Sequence, residues 1–255
     1  MKIATWNVNS LKVRLPHVLA WLAAERPHIV ALQETKLTDE NFPAADFAAA
    51  GYHVVFAGQK TYNGVAIAAR EPLGDVIRDI PDLSDPSRRI LGATIAGVRV
   101  LDLYVVNGQE VGSDKYEHKL HWLKRVTAHV ADELRAHEQL VVLGDFNVAP
   151  DDRDVHDPAA WHEKILCSTP ERNALGALLG LGLADTFRLF EQDPAQFSWW
   201  DYRAAGFRRN LGLRIDLILA SRALAARCTR CWIDTAPRKL ERPSDHTPVV
   251  AEFTT

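Results

Sequence analysis

An α/β architecture, with two packed mixed sheets and helices outside them, is predicted by three features of the 255-residue chain. Short apolar runs outnumber amphipathic helical stretches, the two kinds alternate from end to end, and no Gly/Ser-rich linker or low-complexity tract separates them. The length suits one large core, so residues 1–255 are read as a single domain.

The elements follow in order. "KIATWNV" reads as a strand, and Leu15, Val18, Leu19 and Leu22 then recur on one face of a helix. Pro16 suits the first turn of that helix and Pro27 marks its stop. "HIVALQE" is almost continuously apolar, the pattern of a strand covered on both faces. "YHVVFAG", "GVAIAAR" and "RILGATIAGVRVLDLYVV" follow as strands, the last folding back at Gly97. A long helix is expected from about Lys115 to Ala136, with Leu120, Leu123, Val130 and Leu134 on its stripe. Beyond it lie the strand "LVVL", a polar loop "DDRDVHDP", a helix at "ALGALLGLGL", and strands at "FSWW", "LRIDLILA" and "HTPVVAEF". Strand order and handedness do not follow from the pattern.

Composition narrows the classes. Hydrophobic residues at 47% and charged residues at 25% are ordinary for a soluble globular chain. No 18-residue apolar run is present, so no membrane partner is expected. The start, "MKIATWNVNS", lacks the features of a signal peptide. Three cysteines suggest a reducing compartment rather than a disulfide framework. A cytoplasmic location is expected, at the nucleoid if the source is bacterial. With a net charge of −3 and a pI near 6.4, any surface for nucleic acid must be local. "DYRAAGFRRNLGLR" and "GQKTYNG" are the two basic candidates, with a solvated face as the plainer alternative.

The strands end alike. Asn7 and Asn9 close the first, Glu34 the second, and Asp145 and Asn147 follow "LVVLG". Asp216 lies in "LRIDLILA" on the face opposite Leu213, Ile215, Leu217 and Leu219, and Asp245 and His246 precede the last strand. Each alone is explained by a turn cap or a satisfied backbone. Together, buried carboxylates without a cation would cost stability, and a shared divalent ion removes the cost. With no Cys and at most one His in the set, the chemistry favours Mg²⁺ or Mn²⁺ over Zn²⁺.

The ordered motifs "WNVNSLKVR", "LQETK", "YNGVAI", "LGDFN", "FSWWDYR", "GLRIDLILAS" and "SDHTPV" resemble the exonuclease III family of abasic-site repair nucleases. That family lies within the endonuclease/exonuclease/phosphatase superfamily, and the likeness runs the length of the chain. It implies a DNase I-like, four-layer α/β sandwich and a Mg²⁺-dependent hydrolase of DNA phosphodiesters. Double-stranded DNA would be the partner, with no organic cofactor, and the protein would act as a monomer. By motif, Glu34 would be the principal metal ligand, with Asp245, Asn7, Asp145 and Asn147 completing the set. Asp145 would deprotonate the attacking water, Asn147 would fix Asp145 and donate to a phosphate oxygen, and His246, held by Asp216, would hydrogen-bond the phosphate. Tyr104 would sit near the phosphate or leaving group, and Asn107 would contact the backbone. Trp199, Leu213 and Ile215 would wall an apolar pocket, with a role in the core as the alternative for the last two. Lys36, Lys60, Arg203, Arg208 and Arg209 are candidate phosphate contacts.

Two departures bear on this. "YVVNG" has Val106 where the family has Pro, and Leu213 occupies a position that is aromatic in some relatives. In "WHEKILCSTPER", bulky Ile165 or Leu166 could narrow the pocket and leave mainly 3′-terminal work, exonuclease and 3′-phosphatase. Other features read as bland. Cys228 and Cys231 have CxxC spacing without a second pair. His118 and His121, with Lys115, Lys119 and Lys124, read as a solvent face, and "DDRDVHDP" as a solvated loop. Two rival functions are a superfamily phosphatase acting on a lipid or small phosphate, and a DNA-binding module on a dead nuclease fold.

Overall fold

The structure, a computed structural model, describes residues 1–80, 83 and 85–254. Its strands are β1 (Lys2–Asn7), β2 (Ile29–Gln33), β3 (His53–Ala57), β4 (Val65–Ala69), β5 (Gly74–Ile77), β6 (Ile90–Ile95) and β7 (Val98–Tyr104). They continue with β8 (Leu140–Asp145), β9 (Ala184–Asp185), β10 (Trp199–Trp200), β11 (Gly212–Leu213), β12 (Asp216–Ala220), β13 (Cys228–Ile233) and β14 (Val249–Phe253). The helices are α1 (Leu11–Glu25), α2 (Ala44–Ala49), α3 (Asp114–Ala136), α4 (Pro158–Trp161), α5 (Thr169–Leu179) and α6 (Arg222–Ala225).

Two six-stranded sheets run β13-β14-β1-β2-β4-β3 and β5-β6-β7-β8-β12-β9, while β10 and β11 pair separately. The alternation along β8 shows why they stack: Val141 and Leu143 face the other sheet, where Ile3, Ala31 and Ile67 lie, while Leu140 and Val142 turn outward. Outside the first sheet, α1 and α2 cover Trp6 and Leu32 with Leu22 and Phe47. Outside the second, α3 and α5 contribute Trp122, Leu123, Leu175 and Leu178. The result is the four-layer sandwich expected from the sequence.

Each sheet is built around one parallel pair, β1–β2 across α1 and β7–β8 across α3, with antiparallel neighbours β14 and β12. The carboxyl ends of the parallel strands therefore share an edge with the amino ends of their antiparallel partners. Every strand-end polar residue singled out above lies at or beside that edge.

Local differences have physical causes. Helix α1 starts at Leu11, so Pro16 lies inside it rather than in its first turn. Pro16 and Lys12 both face solvent, the side of the helix where the bond Pro16 cannot donate to the Lys12 carbonyl costs least. The run "LRIDLILA" is broken at Arg214 and Ile215: Arg214 turns into a buried ion cluster, and the N–H groups of Ile215 and Asp216 both donate to Ser198 Oγ at 3.0 Å. The "DDRDVHDP" segment is not simply solvated, because Asp154 is fully buried. Lys119 likewise leaves the solvent face assigned to it and is fully buried on α3, whereas His118 and His121 are exposed. Ala96 and Gly97, at φ 48° and 81°, form the two-residue turn of the β6–β7 hairpin. Cys228 and Cys231 lie on β13, which the sequence reading passed over, and Cys231 Sγ accepts a hydrogen bond from Thr186. No helix among the described residues is long and apolar enough to cross a membrane.

Candidate active site at the strand ends

Antiparallel pairing sets Asp216 directly opposite Asp145, and parallel pairing sets Tyr104 beside Asp145 on the other flank. Asp145 and Asp216 are buried, as are Asn7, Asn147 and His246; Glu34 is half-buried at the rim. Asn7 spans the two sheets, its Nδ2 donating to Glu34 Oε1 and to Asp145 Oδ2, both at 2.9 Å. The Asn147 N–H donates to Asp145 Oδ1 at 2.9 Å, and its Nδ2 reaches Asp145 Oδ2 at 3.3 Å and the Val105 carbonyl at 3.0 Å. Asn147 sits at φ 49°, a left-handed turn that aims its N–H back at Asp145. His246 Nδ1 lies 2.9 Å from Asp216 Oδ2, and its Nε2 lies 3.8 Å from Asp145 Oδ2.

Electrostatics follow from this crowding. Burial, with the Asp216 and Glu34 charges adding to it, pushes Asp145 up to about 7 against the opposing pull of His246 and Asn7. For His246, burial alone favours the neutral ring, but Asp216 and Asp145 overcome it and raise the imidazole to about 10. At neutral pH both His246 nitrogens then carry protons, with Nδ1 donating to Asp216 and Nε2 directed toward Asp145. The Tyr104 hydroxyl is raised well above its usual range by burial and by Glu34 and Asp145. Arg89 stacks 4.6 Å from its ring.

Among the described residues, Glu34, Asp145 and His246 are the group of metal-ligating side chains whose donor atoms lie within 4.8 Å of one another. A protonated His246 is a donor, which leaves carboxylate oxygens facing each other. The Lys36 ammonium is already drawn to Glu34 Oε2 at 2.8 Å and Asn9 Oδ1 at 2.6 Å. A hard divalent cation suits such a donor set.

The other expected ligands are placed differently. Asn7 Oδ1 accepts from the Asn9 N–H at 3.0 Å, so Asn7 presents donors, not an oxygen, to the carboxylates. Asn147 Oδ1 accepts from Asn107 Nδ2 at 3.0 Å and is likewise occupied. Asp245 stands beside the trio, held by Asn9 Nδ2 at 2.8 Å and Trp199 Nε1 at 3.1 Å. Asn9 thus links Lys36 to Asp245. Its position two residues after Asn7 was the signal for it, although the sequence reading gave it no role. Ser244 also went unassigned: its hydroxyl donates to the Asn7 carbonyl at 2.8 Å and accepts from the His246 N–H at 3.2 Å.

Around this centre, Leu213 and Ile215 are closed off in a cluster with Ala149, Val155, Leu166 and Cys167, and half-buried Trp161, Ile165 and Trp199 pack against it. Trp200 points the other way, into the interior, as adjacent strand residues must. Lys36 and Lys60 meet Lys12 along a cleft of about 540 Å³. Arg203 is exposed, with its guanidinium 2.6 Å from Asp201 in the same turn, and Arg208 and Arg209 are exposed beside it.

Comparison with known proteins completes the picture. Residues 4–246 match the model of the endonuclease/exonuclease/phosphatase family. Exodeoxyribonuclease III of Haemophilus influenzae is 34% identical over 267 residues, covering 99% of this chain and 100% of that one. The structure of the 3′ phosphatase NExo from Neisseria, bound to a product DNA hairpin, is 51% identical, with a TM-score of 0.98 and full coverage of both chains. An AP endonuclease from Archaeoglobus fulgidus is 41% identical, with a TM-score of 0.96 and full coverage of both.

Proposed function

The chain belongs to the endonuclease/exonuclease/phosphatase family, as an exonuclease III-type phosphodiester hydrolase, and from that premise we propose a Mg²⁺-dependent DNA repair enzyme acting on duplex DNA at 3′ ends, 3′ blocks and abasic sites. One observation carries the reading: the buried Asp145 carboxylate is ringed by Asn7, Asn147 and His246 at an oxygen-lined strand edge.

Glu34 and Asp145, with Asp245 beside them, are the residues to hold the metal. When bound, Mg²⁺, or Mn²⁺ in its place, supplies positive charge against the scissile phosphate. Asp145, pinned by the Asn147 N–H, takes a proton from the water whose oxygen bonds to phosphorus as the bond to the leaving oxygen breaks. His246 donates from Nε2 to a phosphate oxygen as charge builds there, while Asp216 holds Nδ1 and the ring orientation. Tyr104 faces the leaving oxygen, and Asn107 braces Asn147. Lys12, Lys36 and Lys60 are suited to DNA phosphates, and Arg208 and Arg209 to a second contact. Arg203 contributes less because Asp201 neutralises it. Trp199 is the residue suited to contact the sugar, supported from the closed core by Leu213 and Ile215. We read the protein as a monomer of the cytoplasm.

The test uses three labelled duplexes, one with a central tetrahydrofuran, one ending in 3′-phosphate and one with a recessed normal 3′ end, each incubated with Mg²⁺ or with EDTA. Products in Mg²⁺ alone are expected. A chain inert on all three that still hydrolyses a small phosphomonoester is a phosphatase of the superfamily instead, and binding without products marks a DNA-binding module.

A second reading restricts the enzyme to 3′-end processing. It is favoured by Ile165, which is half-buried against the Leu213–Ile215 cluster as Trp161 and Trp199 are, and whose Cδ1 closes over Gly108. Leu166 is buried beneath and cannot itself narrow the opening. Equal rates on the tetrahydrofuran and 3′-phosphate duplexes would exclude this restriction.

A further inference from the structure

Lys119 and Glu171 are both fully buried, and their ionic contact links α3 to α5. Replacing a buried ion pair by apolar side chains of similar volume is often neutral for stability, so stability alone does not account for this one. The partners supply a further reason. Lys119 Nζ, besides meeting Glu171 Oε1, donates to the Asn147 carbonyl at 2.7 Å and to the Asn107 carbonyl at 3.0 Å. All three ammonium protons are used, and two of them grip the loops that carry Asn147 and Asn107.

Glu171 does the same on the other side. Its Oε1 accepts from the Leu166 N–H at 3.1 Å, and its Oε2 from the Ser168 N–H at 3.1 Å and the Ser168 hydroxyl at 2.6 Å. Ser168 Oγ in turn lies 2.7 Å from the Tyr116 hydroxyl. The Leu166 carbonyl accepts from the Ala149 N–H at 2.8 Å, and the Lys119 stem and Ile165 Cδ1 together close over Gly108. The Ile165–Ser168 segment beside the Leu213–Ile215 cluster is thus fastened to the loop that orients Asp145 by the ammonium–carboxylate contact, with the Ala149–Leu166 backbone bond beside it. Asn147, in its left-handed conformation, has no other hydrogen bond to its carbonyl from the described side chains.

We propose that Lys119 and Glu171 are positioning residues for hydrolysis, locking the Asn147 turn behind Asp145 and setting it in register with the Ile165–Ser168 segment. This rests on the hydrolase reading above. The assay is steady-state removal of 3′-phosphate from a duplex in Mg²⁺, with Mn²⁺ affinity measured calorimetrically on the DNA-free protein. The double variant Lys119→Met/Glu171→Met removes both charges together and keeps the volume. Its kcat is expected to fall about tenfold to a hundredfold, the usual cost of losing groups that orient a site from behind. KM should change by less than about threefold and Mn²⁺ affinity should hold, because no DNA or metal contact is touched. A purely architectural pair would instead leave kcat per folded molecule at the wild-type value, whatever the melting temperature does, and that result overturns the proposal. Ser168→Ala loosens the same lock from its far end and tests it if the double variant fails to fold. A fall in kcat of about threefold or more is expected there, and an unchanged kcat overturns the proposal. Wild-type protein inert on every duplex sinks the hydrolase reading itself, an outcome distinct from either variant result.

Discussion

Two sets of buried charge in the molecule are solved in opposite ways. In one, Lys119 faces Glu171, and Arg214 holds Asp154 at 2.6 Å and Asp185 at 2.7 Å, with Arg188 also meeting Asp154. Cations and carboxylates are matched in contact, and the group packs between elements like any other piece of core. In the other, Glu34, Asp145 and Asp216 converge on His246, with Lys36 reaching only the outer Glu34 oxygen, and Asp145 is driven to about 7. The first group is matched in charge within the chain, three cations to three carboxylates, although Arg214 Nη1 and Arg188 Nε are left without a hydrogen-bond partner among the described residues. The second is short of positive charge, which is how a site built for a ligand differs from a site built for the fold.

The sharpest break of this comparison is Asp145→Asn. Removing the base should lower kcat by about 10³-fold, in the range that general-base catalysis supplies, with the melting temperature held or raised because a crowded carboxylate is gone. Steady-state rates and a thermal melt on one preparation check both halves. Arg214→Met should do the reverse. It strands Asp154 and Asp185 and should cost about 3–5 kcal/mol by denaturant titration, while the folded fraction keeps its turnover.

A smaller effect concerns pH. The folded Asp145 titrates near 7, above the ordinary Asp value of 3.8, so the stability it contributes is full below 3.8 and is lost as pH rises through 7. The contribution of His246 is full below 6.5 and is lost as pH rises through about 10. Protein in EDTA should therefore melt higher at pH 5.5 than at pH 8, by about 3 °C or more. Mg²⁺ should raise the melting point more at pH 8, where it no longer competes with the Asp145 proton. Equal Mg²⁺ shifts at both pH values would disconnect the metal from these carboxylates.

The smallest effect sharpens the contrast with a third way of burying a carboxyl. Asp102, between the sheets, accepts from Gln33 Nε2 at 2.7 Å, while its own Oδ2 and Gln33 Oε1 have no partner. Burial pushes it well above the carboxylate range, so it is held neutral, and its stability is lost as pH rises through that raised value. Asp102→Asn should change stability by less than about 0.5 kcal/mol at pH 6 and flatten the decline on the alkaline side. A large loss at pH 6 would mean that the carboxyl is charged.

What the sequence disclosed and withheld divides along the same line. Strand periodicity and the terminal motifs were enough to locate the site edge, because Glu34, Asp145 and His246 each end or precede an apolar run. The four-layer sandwich was legible for the same reason. Lys119 was not. Periodicity reports apolar residues, and a lysine is buried only because a glutamate 52 positions later meets it. Asp154 escaped notice for a matching reason, its partner Arg214 being 60 residues away. Pro16 misled by obeying a rule about first turns, where solvent exposure permits a break of that rule inside α1.

The antiparallel pairing of β1 with β14 has a bearing on the order of folding. Strands so far apart in sequence pair late, because closing a long loop costs more entropy than closing a short hairpin. Local hairpins such as β6–β7 can therefore form while the cutting edge, which needs His246 from beside β14 against Asp145, is still unassembled.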